Sequence, residues 1–104
     1  MNKLELDGMI AVLISPGFGA GWSTWNDDKY KEILCMDSDI VKAVIEEDND
    51  KAIAIAKQKC PSIFGEGGKN LVVKWVKKGE AFEIHEYEGR ETLFVKGKHE
   101  DMVA

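Results

Sequence analysis

At Leu71 the spacing of apolar residues changes, and this change constrains the fold more than any other feature of the chain. Upstream, apolar side chains recur at helical spacing: Tyr30, Ile33 and Leu34, then Ile40, Val41, Val44 and Ile45, then Ala52, Ile53, Ile55, Ala56 and Cys60. Downstream the period is two, with Leu71, Val73 and Trp75 on one face and Val72, Lys74 and Val76 on the other, followed by Phe82 and Ile84 alternating with Glu83 and His85. Helical faces repeat every turn and strand faces every second residue, so the chain reads as helices followed by strands. Such segregation predicts an α+β domain.

The boundaries carry their own signals. Asn26 or Asp27, Asp37-Ser38 and Asp48-Asn49-Asp50 each precede a helical run, where a short polar side chain can accept from a free backbone N–H. Pro61 stops the third helix. Pro61 to Asn70 reads as a loop whose Ile63 and Phe64 plug a core edge. Lys78-Gly79 and either Glu88-Gly89 or Gly89-Arg90 turn three C-terminal strands into successive hairpins, the last running from Thr92 to Val95. Ahead of the helices, Leu4 to Leu6 alternates, Asp7-Gly8 suits a two-residue hairpin turn, and Met9 to Ile14 is continuously apolar, as in a strand buried on both faces. The expected product is a mainly antiparallel sheet of four or five strands in one domain of 104 residues. About three helices are inserted after the first buried strand and cover one face, that strand lies beside a C-terminal one, and residues 97–104 form a loose polar tail.

A formal net charge of −5 argues against general nucleic-acid binding, which needs a basic surface to displace counterions. Met1-Asn2-Lys3 leads straight into mixed polar sequence, so no secretory leader is expected. Cys35 and Cys60 then read as reduced, buried residues of a cytoplasmic protein. The apolar runs are far too short for a membrane span. With two histidines and no paired cysteine spacing, neither a metal nor a cofactor is called for.

Between the first buried strand and the first helix lies Ser15 to Asn26, SPGFGAGWSTWN. Gly17, Gly19, Ala20 and Gly21 would let backbone N–H groups approach an anion. Trp22 nevertheless stands where a dinucleotide fingerprint needs a small residue and where a phosphate loop needs lysine. The same glycines can serve as a hinge that folds Trp22 and Trp25 over the sheet. The two rings flank Ser23 and Thr24 and precede Asn26, offering stacking surface with donors and acceptors for a nucleobase, sugar or peptide. As core residues, the tryptophans would anchor the fold while Ser23, Thr24 and Asn26 cap a helix.

Glu86 is in phase with Phe82 and Ile84, which places a carboxylate on an apolar face near Tyr87, Arg90 and Glu91. His85 falls on the opposite face and His99 in the tail. The acidic residues of the helical region, from Asp27 and Asp28 through Glu46, Glu47, Asp48 and Asp50, form a solvated face or a partner surface.

Two stretches, AVLISPGFGAGWSTWN and NLVVKWVKKGEAFEIHEYEGRE, together resemble a family of short uncharacterised proteins encoded by bacteriophages and prophages. The resemblance runs over roughly residues 9 to 92, with GAGWSTWN as its distinctive segment. It implies a phage accessory protein made in the host cytoplasm, and it carries no functional residues.

Three functional expectations follow. The first is a non-enzymatic binder of a small polar ligand, sequestering a nucleotide-type host defence signal. Its site would comprise Gly19, Ala20, Gly21, Trp22, Ser23, Thr24, Trp25, Asn26, Glu86 and Arg90, with Lys69 or Arg90 neutralising charge. A domain this small encloses a ligand more readily between subunits, so a homo-oligomer is expected. The second is an acidic interaction module that inhibits a host enzyme. The third is a small hydrolase built on Glu86.

Overall fold

The computed structural model describes residues 1–95 and 102–104. Strands β1 (Glu5–Leu6) and β2 (Met9–Ile14) come first. Helices α1 (Lys31–Met36), α2 (Ser38–Ile45) and α3 (Asn49–Lys59) follow, then β3 (Val72–Lys77), β4 (Ala81–Tyr87), β5 (Arg90–Val95) and β6 (Met102–Val103). The α+β arrangement, the three helices after the buried strand and the antiparallel pairing agree with the sequence.

The aspartates act as their positions suggest. Asp37 accepts from Ile40 N at the start of α2, and Asp48 accepts from Lys51 N at the start of α3. Asp27 accepts from Lys29 N, but the segment it opens is a 3-10 turn, Asp28–Tyr30, that tightens into α1. Lys59, at the end of α3, lies 2.8 Å from both Asp37 and Asp39 and ties that end back to the start of α2.

The strands divide differently from the single sheet that was expected. They form two three-stranded sheets, β1-β2-β3 and β5-β4-β6. β3 pairs along its whole length with β2, from Ile14↔Val72 to Met9↔Lys77, and not with β4. Lys78-Gly79 therefore carries the chain from one sheet to the other instead of closing a hairpin. The physical reason lies in β2, whose two faces are both apolar. Ala11 and Leu13 enter a core with Trp22, Leu34, Ile40, Val41 and Ala56. Ile10, Val12 and Ile14 enter a second core with Val76, Phe82, Ile84 and Met102. Each fully buried Ile, Leu or Val contributes about 1.5–3 kcal/mol relative to exposure, so neither face can be left open. One sheet with helices on a single side would cover half of β2. A second sheet covers the rest, giving three layers: helices, sheet, sheet.

The expected loose tail is corrected at its end. Met102–Val103 pairs with Ala81 and Phe82 of β4, Met102 and Ala104 are buried, and Ala104 O accepts from Gly79 N. The rest of that tail, including His99, lies outside the described residues. Of the two apolar residues after Pro61, Ile63 is buried as expected, whereas Phe64 is 46% exposed. No helix among the described residues is long and apolar enough to cross a membrane.

Candidate functional site

The segment from Ser15 to Asn26 runs on from the end of β2, past the β4–β5 turn, and is held by glycines of two other segments. Gly89, at a positive φ of 84°, sits in the β4–β5 turn, and a Cβ there would strike the backbone of Gly19 and Ala20. Gly67, in the 3-10 turn Glu66–Asn70, lies so close to Gly21 that a Cβ would run into its carbonyl. Gly19 N donates to Glu88 O at 3.1 Å and closes the contact with the hairpin. Glycine is needed at residues 67 and 89 because backbone meets backbone there.

Glu91 is the chemical centre of the segment, although its sequence setting had marked it merely as a neighbour of Glu86. The side chain is 2% exposed. Its Oε1 accepts from Ser15 N at 2.8 Å. Its Oε2 accepts from Trp22 N at 2.8 Å, Thr24 N at 3.2 Å and Thr24 Oγ1 at 2.6 Å. The backbone joins in, with Glu91 N donating to Ser15 O at 2.8 Å. A buried carboxylate is costly unless its oxygens are met by donors, and here four donors meet them. The GWST backbone is thus wrapped around one carboxylate.

This wrapping settles where the expected site residues stand. Trp22 is fully buried and donates from Nε1 to Leu34 O at 2.7 Å, so neither face of its ring is open for stacking. That corrects its expected role as a ligand stacker. Burying the large ring between helices and sheet is worth more than presenting it to solvent. Ser23 is buried as well, and Thr24 is spent on Glu91. Ser23 Oγ makes no hydrogen bond of good geometry among the described residues, and its neighbour is the weakly bonding Cys35 thiol. Burial pushes that thiol up to about 12, with the nearby Glu91 charge adding to the rise and Ser23 opposing it. A fully buried thiol at that value is no nucleophile. Asn26 does not open a helix but closes the 3-10 turn Ser23–Trp25, its N–H donating to Ser23 O. Its Nδ2 donates to Trp22 O and Phe64 O, and its Oδ1 accepts from Phe64 N at 2.7 Å, clamping residues 61–70 to the loop.

The remaining expected residues lie on the outer rim. Trp25 is 40% exposed, stacks at a tilt on Phe64 with centroids 5.6 Å apart, and donates from Nε1 to Glu86 Oε2 at 3.1 Å. Glu86 also accepts from Gly89 N at 2.6 Å. These two bonds, the backbone one foremost, hold its carboxyl below the usual carboxylate range. Glu86 does face the side its phase indicated, directly opposite Glu91 on the paired strand, but the strand end leaves it in solvent. Arg90 places its guanidinium 5.4 Å from the centroid of the exposed Phe18 ring. Gly19 is exposed and Ala20 half-buried, with Ala20 O accepting from Ser15 Oγ at 3.1 Å.

Two residues outside the expected set complete the rim. Phe18 and Phe64 flank a hollow of about 330 Å³ that is also lined by Gly19, Ala20, Glu66, Lys69 and Asn70. Lys69 reaches Glu66 at 3.1 Å, an exposed pair that exchanges easily with other anions. The sequence signal for this hollow was faint: Phe64-Gly65 beside Gly67-Gly68 marks an apolar residue on a loop, without showing that Phe18 faces it. Among the described residues, no group of three or more His, Cys, Asp or Glu gathers in a way that could hold a metal ion. No protein-family model, curated protein or solved structure matches this chain.

Proposed function

We propose that the chain is a non-enzymatic binding protein that takes a small polar ligand, one with a flat ring and negative charge, at the rim of the glycine loop. The observation that carries this reading is the hollow between the Phe18 and Phe64 rings, with the Lys69 ammonium and Asn70 amide on its wall. Two rings supply stacking, a lysine supplies charge, and the volume falls at the lower end of small-molecule sites, which run from about 300 Å³ upward. The rim is chosen over the loop interior because the interior donors are already bound to Glu91. A nucleotide fits this chemistry. With the phage resemblance, the purpose is to lower the free concentration of a nucleotide-type defence signal, with a second copy closing the open side of the hollow.

Glu86 supports binding better than hydrolysis. Its carboxyl is held in the ionised form and has no nucleophile or base bonded to it among the described residues, so general acid chemistry lacks a proton to give. The acidic interaction module keeps one observation in its favour, the exposure of Glu46, Glu47, Asp48 and Asp50 together.

Native mass spectrometry against cyclic and linear nucleotides tests the proposal and reads the oligomer in the same spectrum. A complex at fixed stoichiometry, weakened about tenfold or more by Phe18→Ala, Phe64→Ala or Lys69→Glu, is expected. An empty protein across the panel, or binding indifferent to all three substitutions, overturns it. Charge reversal at Glu46, Glu47 and Asp50 that abolishes capture of a host protein would move the function to the helices.

A further inference from the structure

Each sheet has two edge strands, β1 and β3 in one and β5 and β6 in the other. The free edge of β5 can be described group by group. β4 and β5 are joined by the two-residue turn Glu88-Gly89, both at positive φ, which makes Tyr87↔Arg90 the hydrogen-bonded closing pair. Backbone groups alternate along an antiparallel strand, so Thr92 and Phe94 point theirs toward β4 and Glu91 and Leu93 point theirs away. The bond from Glu91 N to Ser15 O agrees with this phase. The next outward pair, the N–H and C=O of Leu93, meets no partner among the described residues.

Beside this edge runs a groove of about 370 Å³, with Ile14, Lys74 and Trp75 on one wall and Arg90, Thr92 and Leu93 on the other. Trp75 is 40% exposed. Lys74 and Arg90 are exposed and form no ion pair among the described residues; Arg90 has a ring, Phe18, rather than a carboxylate for company. Glu91 also lines the groove, but both of its oxygens are turned to the loop donors. A molecule with a net charge of −5 thus keeps a cationic groove along a strand edge that, among the described residues, is unpaired at Leu93.

We infer that the β5 edge accepts an extended acidic segment of a partner protein as an added strand. The backbone groups of Leu93 would supply the main-chain pairing, Lys74 and Arg90 would meet carboxylates, and Trp75 would meet the apolar side chains that alternate with them. Charge selects this occupant over a second copy of the chain, because two copies meeting groove to groove would set cations against cations. This surface is separate from the Phe18–Phe64 hollow, and the two stand or fall independently.

The test uses the intact chain and a synthetic decapeptide alternating Glu and Val. Binding is followed by calorimetry, and exchange of the Leu93 amide hydrogen by NMR. The expected result is binding with Leu93 exchange slowed about tenfold or more, since pairing protects an amide that the free edge leaves open. Binding should be lost with the matching Lys-Val peptide and with a Glu-Val peptide N-methylated at every residue, which has no N–H left on either edge. The double substitution Lys74→Glu with Arg90→Glu should weaken it by about tenfold or more. Equal binding of the N-methylated peptide, or binding without protection of Leu93, overturns strand addition. No binding of the Glu-Val peptide overturns the acidic occupant, and concentration-dependent protection of Leu93 in the protein alone replaces it with a second copy.

Discussion

The two halves of the glycine loop share a composition and differ in what they are made for. From Gly21 to Thr24 the chain is buried or half-buried, its donors are bound to Glu91, and its tryptophan lies in the core. From Gly17 to Gly19, and again at Trp25, the chain lies on the surface with rings in solvent. Glu91 and Glu86, facing each other across β4 and β5, mark the same division. One carboxylate is enclosed by four donors and the other sits in water with two. The lesson is that a loop rich in glycine and tryptophan need not be all site. Its buried half fixes the position of its exposed half, and the proposed binding belongs to the latter.

Substitutions should separate the halves in order of effect. Trp22→Ala strikes the core, and chemical denaturation should register a loss of about 3–5 kcal/mol, the usual range for large-to-small changes at buried aromatics. A loss below about 1 kcal/mol would erase the distinction between the two tryptophans. Glu91→Gln keeps the shape but turns an amide N–H₂ toward at least one backbone donor, and a loss of about 1–3 kcal/mol is expected by the same measurement. Trp25→Ala removes a half-exposed ring and one surface hydrogen bond, for a stability loss of about 1 kcal/mol or less, and weakens ligand binding only by loosening the Phe64 ring it packs on. The smallest effect is in acid. The folded-state pKa of Glu86 lies below its ordinary value of 4.5, so its bonds stabilise the fold above that value and are lost as the pH falls through it and through the lower folded value. The Trp25 indole N–H resonance should move over that interval and hold still in Glu86→Gln. Movement in the variant would assign the titration to another group.

Much of the architecture was legible because local chemistry dictates it. The continuous apolar run Met9–Ile14 announced burial on both faces, and Asp37 and Asp48 announced helix starts. The split into two sheets was not announced, since the alternation in Val72–Lys77 and Ala81–Tyr87 fits pairing with each other as well as with other partners. That choice rests on covering the second face of β2, a requirement of the whole molecule. The role of Glu91 was hidden for a related reason. Its neighbours Arg90 and Thr92 read as a polar strand end, while its bonding partners lie 67 to 76 residues away in the chain. The closing strand Met102–Val103 is too short for any periodicity to show. Rim and interior of the loop could not be told apart because Trp22 and Trp25 stand three residues apart in one irregular segment, with no periodicity to say which ring turns inward.

The double burial of β2 also bears on how the molecule comes apart. Because Ala11 and Leu13 belong to one core and Ile10, Val12 and Ile14 to the other, neither core can melt without stripping a face from the same six residues. A molecule in three layers would otherwise be free to lose its outer sheet first and keep a helical remnant. Here the central strand ties both transitions to one event, so heat and denaturant should unfold the helices and the outer sheet along a single coincident curve.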